Sequence, residues 1–130
     1  MNKQSGWIKF IRYFLGAIIL LFSLNGFFQF LPMPPLPESA SAFFGALNET
    51  GYMIPFLYGV ELIIAIMILV NRFVPLVLLL FLPIALNILF FHLFLAPAGG
   101  VAGYLTVILE VILLIAYKED YRSLLRPKTG

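Results

Sequence analysis

Glu61 and Glu110 are the residues best placed to do chemistry, because each interrupts a long apolar run. An ionisable group inside such a run costs on the order of 2.5–3.5 kcal/mol on membrane-insertion scales, so its presence calls for a reason. Two carboxyls brought together away from water cannot both ionise. At least one then keeps its proton near neutrality and can donate a hydrogen bond. Counting from the outer end of each run, Glu61, Glu110 and Asn87 each lie nine residues in. At helical rise that is roughly 13–14 Å, so three runs contribute a polar group to one layer. Asn25 is somewhat shallower, with Gln29 at i+4, and His92 is shallower still. Tyr58 shares a helical face with Glu61, and Gly103 and Thr106 share one with Glu110. The spacing predicts an inward polar seam or ligand-binding set of Glu61, Asn87, Glu110, His92, Asn25 and Tyr58. His92 stands apart from Asn87, about 140° around the same helix. Such a seam can exchange protons or hold a ligand. The same residues serve equally as neutral glue between helices.

Other chemistries are excluded by what the chain lacks. The single histidine cannot supply both axial ligands of a haem, nor a zinc site unaided. Cysteine is absent, which removes thiolate ligands, iron–sulfur clusters and thiol relays. No metal site and no intrinsic cofactor are expected. There is no P-loop, dinucleotide fingerprint, nucleophile elbow or zinc motif. No catalytic residue can therefore be named, and the chain reads as having no enzymatic centre of its own.

The elements that must carry the seam are set by composition. Of the 130 residues 62% are hydrophobic and 11% charged, against roughly 45–50% and 25% in soluble domains. So little polar surface cannot cover so much apolar side chain, which argues against a soluble enzyme, a disordered chain or a nucleic-acid binder. Four apolar runs, at about 7–31, 52–70, 73–96 and 101–117, predict an all-α polytopic membrane protein. Its four transmembrane helices form one bundle over residues 1–130. Pro83, one turn before Asn87, is expected to kink the third. A proline-rich stretch (Pro32, Pro34, Pro35, Pro37) leads to a short interfacial helix through Phe43, Phe44 and Leu47, capped by Ser39 to Ser41. Ala40-Ser41-Ala42 resembles a signal-peptidase site, but the first run is too long for a signal sequence and is read as retained. Gly99 and Gly103 form one isolated G-x-x-x-G.

All eight basic residues fall on one side of the four-span arrangement, and the opposite loops hold only Glu38 and Glu49. That segregation predicts both termini in the cytoplasm. The tail from Lys118 to Lys128, with Tyr117 and Tyr121, suits anchorage on an anionic leaflet. Membrane lipid is thus a partner, and nucleic acid is not. Four short spans leave a thin core, which favours a homo-oligomer or a complex with other membrane proteins.

Several stretches resemble DoxX-like membrane proteins. They are Ala46 to Tyr52 with Gly59-Val60-Glu61-Leu62, then Asn71-Arg72-Phe73-Val74-Pro75 leading to Leu82-Pro83 and Asn87. Phe91-His92-Leu93 and Tyr117-Lys118 with Tyr121-Arg122 continue the match, which covers roughly residues 40–126. Its most specific parts are the glutamate of the second span, the Arg-Phe-x-Pro turn and the Asn-x-x-x-x-His spacing. The resemblance implies a four-helix protein of the prokaryotic cytoplasmic membrane, associated with quinone-linked or oxidative-stress systems. It carries Glu61, Asn87 and His92 as family-like polar residues, whereas Glu110 rests on depth alone. The expected function is an accessory or partner-binding subunit that holds a quinone or lipid headgroup. The alternative is a small proton-coupled carrier or leak pathway using Glu61 and Glu110.

Overall fold

Apolar runs of this length leave the backbone no hydrogen-bonding partner but itself, and the chain forms helices. The computed structural model describes residues 5–31, 35–98 and 100–128 and is all-α, with no strand among the described residues. The helices are α1 (Gly6–Phe28), α2 (Glu38–Glu49), α3 (Met53–Leu69), α4 (Val74–Phe94) and α5 (Val101–Ala116). A 3-10 turn, Lys118–Tyr121, follows. The four long runs appear as α1, α3, α4 and α5 within three residues of their expected ends.

Helices α1 and α4 are long and apolar enough to cross a membrane. The pair α2 and α3 passes as one broken span bent by 93°. Helix α5 is apolar but has 16 residues, about 24 Å against a hydrocarbon layer of about 30 Å. The outward faces carry large apolar side chains, including Phe10, Ile63, Leu80, Phe90 and Ile108. Exposed area of this kind fits lipid rather than water.

Local chemistry explains where each helix stops. Gln29 turns left-handed (φ 52°) and its N–H closes onto the Asn25 carbonyl at 2.8 Å, ending α1. Between α3 and α4, Asn71 (φ 58°) and Phe73 (φ 54°) are both left-handed, and the Arg72 N–H reaches the Met67 carbonyl at 2.9 Å. This reverses the chain in four residues, and Pro75 opens α4. The short second helix exists but starts differently from expectation. It follows Pro37 with no side-chain cap, rather than using Ser39 or Ser41. Glu38 sits in its first turn, where a negative charge complements the helix dipole. Pro32, Pro34 and Gly99 lie outside the described residues, so the first part of the proline-rich path and the G-x-x-x-G pair do too.

The long helices run antiparallel in sequence order. Arg12, near the start of α1, meets Ile68 at the end of α3, and Tyr121 beyond α5 meets Pro75 at the start of α4. The described chain therefore begins and finishes at one end of the bundle, called the terminal end below. At the far end, Gly26 meets Tyr58 and His92 meets Gly103. Helix α1 packs on α3 and α5, and α4 packs on the same two, so α3 and α5 lie on a diagonal. The core thickens toward the terminal end, where Ile8, Leu15, Ile68, Leu78, Leu113 and Tyr121 are buried together. Helix α2 crosses the far end, with Phe43 tilted against and Phe44 edge-on to Phe91 of α4.

Candidate functional site

A cleft of about 420 Å³ opens at the far end between α1 and α3. Phe22, Asn25, Gly26, Gln29 and Leu31 line it from the last turns and exit of α1, and Tyr58 lines it from α3. The geometry follows from the α1 terminus. The Asn25 side-chain oxygen accepts the Leu31 N–H at 2.7 Å, holding the exiting chain against the helix. Asn25 and Gln29 both line the space beside the left-handed turn that Gln29 makes. Gly26 is required here, because a Cβ at that position would lie 2.5–2.6 Å from the Tyr58 ring. Phe27 meets Tyr58 edge-on with centroids 6.2 Å apart. Glu61 lies one turn beyond Tyr58 on α3, 9% exposed and within electrostatic reach of it. No side-chain hydrogen bond holds its carboxyl among the described residues. The cleft therefore pairs an apolar wall with two amides and a phenol, above a carboxyl.

The remaining expected residues go elsewhere. Asn87 does not join the seam: its side chain is exposed and donates to the Pro83 carbonyl of its own helix at 3.0 Å. Counting residues gave its depth but not its azimuth. His92 packs between Phe91 and Tyr104, with Nδ1 3.3 Å from the Ala96 carbonyl. Gly103 gives the imidazole its seat, since a Cβ there would run into the ring, as would one at Gly100. The glycine pair of this region thus serves a histidine at the α4–α5 corner.

Glu110 is fully buried on α5, and neither carboxyl oxygen has a hydrogen-bond partner among the described residues. No hydrogen bond joins it to Glu61 among the described residues. The electrostatic neighbour of Glu61 is Tyr58, and that of Glu110 is Tyr121 at the opposite end. No group of three or more His, Cys, Asp or Glu able to hold a metal occurs among the described residues.

Spacing also missed Arg12, which reads in sequence as one more flanking charge. It is 5% exposed, donates from Nη1 to the Ile68 carbonyl, and lies 4.4 Å from the Tyr13 ring centroid. The available signal was its position five residues past Trp7, already inside the apolar run. At the same end the Tyr121 hydroxyl donates to the Pro75 carbonyl at 2.7 Å. Burial pushes the Tyr121 hydroxyl well above the usual tyrosine range, and Glu110, Asp120 and Tyr117 add to the shift. The chain matches no protein-family model, no curated protein and no solved structure.

Proposed function

We propose that this is a DoxX-like integral membrane protein with four transmembrane helices and both termini cytoplasmic. In that reading it is an accessory subunit of a quinone-linked or redox-associated membrane system. It holds the polar head of a membrane-soluble ligand, quinone by class, in the α1–α3 cleft. The observation that carries the reading is the cleft itself, with Asn25, Gln29 and Tyr58 converging beside an apolar wall. Amide N–H groups and a phenol O–H suit the carbonyl oxygens of a quinone, and Phe22 and Leu31 suit its ring and tail. The family resemblance rests on the sequence motifs alone. The orientation is supported by Lys9, Arg12, Arg72, Lys118, Arg122, Arg126 and Lys128, which belong to the terminal end. Helices α3 and α5, about 24–26 Å long, cross with modest local thinning of the bilayer.

Binding of a quinone analogue to the purified protein tests the ligand. Gln29→Ala and Tyr58→Phe each remove one donor, and each is expected to weaken binding about fivefold to tenfold. Equal binding by wild type and both variants would remove the cleft from the account. A cysteine placed at Ser41 is expected to react with an impermeant reagent from outside the cell. Labelling only from the cytoplasmic side would overturn the orientation.

The proton-pathway reading keeps one observation in its favour, the unpartnered carboxyl of Glu110. No hydrogen bond links Glu110 to Glu61 among the described residues, so a direct relay between them has no contact to support it. Proteoliposomes of wild type and of Glu61→Gln/Glu110→Gln decide this reading. Equal acidification of the two ends it.

A further inference from the structure

The C-terminal segment after α5 forms a shallow, largely open surface depression lined by Lys118, Glu119, Arg122, Leu125, Arg126 and Pro127, called the C-terminal cleft below. Its backbone is built rather than loose. Tyr121 is pinned to Pro75, and the N–H groups of Leu124 and Leu125 both return to the Tyr121 carbonyl, at 3.0 and 3.1 Å. The charges are unbalanced. Glu119 is engaged by Arg122 at 2.8 Å, and no carboxylate bridges Lys118 or Arg126 among the described residues. Arg126 spends its Nε on the Ser123 carbonyl, which leaves both Nη groups for a ligand.

Beside these cations Leu124 and Leu125 are 66% and 77% exposed. Two leucines held out next to three cations suit a boundary where hydrocarbon meets phosphate. The same boundary is marked by exposed Trp7 and Tyr13 on α1. Ile108, Val111 and Ile115 are also exposed and repeat at intervals of three and four, forming one apolar stripe along α5, which ends at Ala116 just before Lys118. An acyl chain laid along that stripe would bring its phosphate to Lys118.

We propose that this cleft binds one anionic phospholipid of the adjacent leaflet. Its phosphate lies between Lys118 and Arg126, and one acyl chain runs along the outer face of α5. The proposal rests on the membrane-spanning reading but not on the quinone cleft.

The test is native mass spectrometry of the full chain, released from nanodiscs containing equal amounts of phosphatidylglycerol and phosphatidylcholine with matched acyl chains. Wild type is expected to retain one phosphatidylglycerol about tenfold over phosphatidylcholine, and Lys118→Gln/Arg126→Gln is expected to lose that preference. Equal retention of the two lipids by wild type, or an unchanged preference in the double variant, overturns the proposal. Displacement of the lipid by millimolar inorganic phosphate also overturns it, because the site would then be a simple anion site. Carbonate extraction separates the two layers of the argument. A chain washed off membranes by carbonate fails the membrane reading itself, whereas an integral chain without lipid preference fails this proposal alone.

Discussion

The two ends of the bundle use polar groups in opposite ways. At the terminal end they fasten helices together. Arg12 is tied to the carbonyl of Ile68 and Tyr121 to that of Pro75, so backbone carbonyls join three helix ends and the C-terminal turn. At the far end, Asn25 makes one structural bond to Leu31, while Gln29 and Tyr58 face a cleft. The core follows the same division, dense around Ile68, Leu78, Leu113 and Tyr121 and thin around Gly26. A polar residue in an apolar run is thus ambiguous until its neighbours are known. Where backbone carbonyls surround it, it holds the fold. Where a cavity adjoins it, it is available to a ligand.

The comparison can be broken by substitutions that should act at only one end. The largest effect is expected from Arg12→Ala, which removes a charge-assisted bond and a buried aliphatic stem. It should cost about 2–3 kcal/mol of stability in detergent, measured by thermal or denaturant unfolding. A loss below about 0.5 kcal/mol would deny Arg12 its fastening role. Tyr121→Phe should cost about 1 kcal/mol, the net worth of one hydrogen bond.

Tyr121 also predicts a pH dependence. Its hydroxyl is raised in the folded chain, so its contribution is complete below the ordinary tyrosine value of about 10. It is lost as pH rises from there toward the higher folded value. Unfolding curves of wild type and Tyr121→Phe should therefore converge above about pH 10, and parallel curves across that range would contradict the assignment.

Glu110→Gln is expected to leave stability unchanged or raise it by about 1 kcal/mol, because an unpartnered buried carboxyl gives way to a neutral isostere. A clear loss would mean that the carboxyl is held by a partner after all. The smallest effect belongs to Asn87→Leu, within about 0.5 kcal/mol, since the side chain is exposed and bonds only its own helix.

Much of the fold is legible in residue order. Hydropathy locates the four long helices closely, because unbroken apolar runs leave few alternatives. Asn71-Arg72 marks the tight reversal, since asparagine accepts the left-handed conformation. Asn25 and Gln29, i and i+4 neighbours in the sequence, line one cleft together with Tyr58. What sequence spacing lacks is azimuth and helix order. Glu61, Asn87 and Glu110 share a depth by counting, yet one faces outward and the other two stand on diagonal helices. Arg12 was hidden for a related reason, because a charge near a helix start reads as solvated until a neighbouring helix end closes over it. Gly26 could not be read at all, and Gly103 was visible only as part of an isolated G-x-x-x-G, because each matters through the aromatic ring packed on it from another helix.

The most direct measurement is photo-crosslinking with an azidoquinone in native membranes, followed by peptide mapping. The expected label falls on residues 22–31 and on Tyr58, is reduced by Gln29→Ala, and is unaffected by Glu110→Gln. Label concentrated on α5 around Glu110, or label that is unchanged by Gln29→Ala, would contradict the division of labour between the two ends.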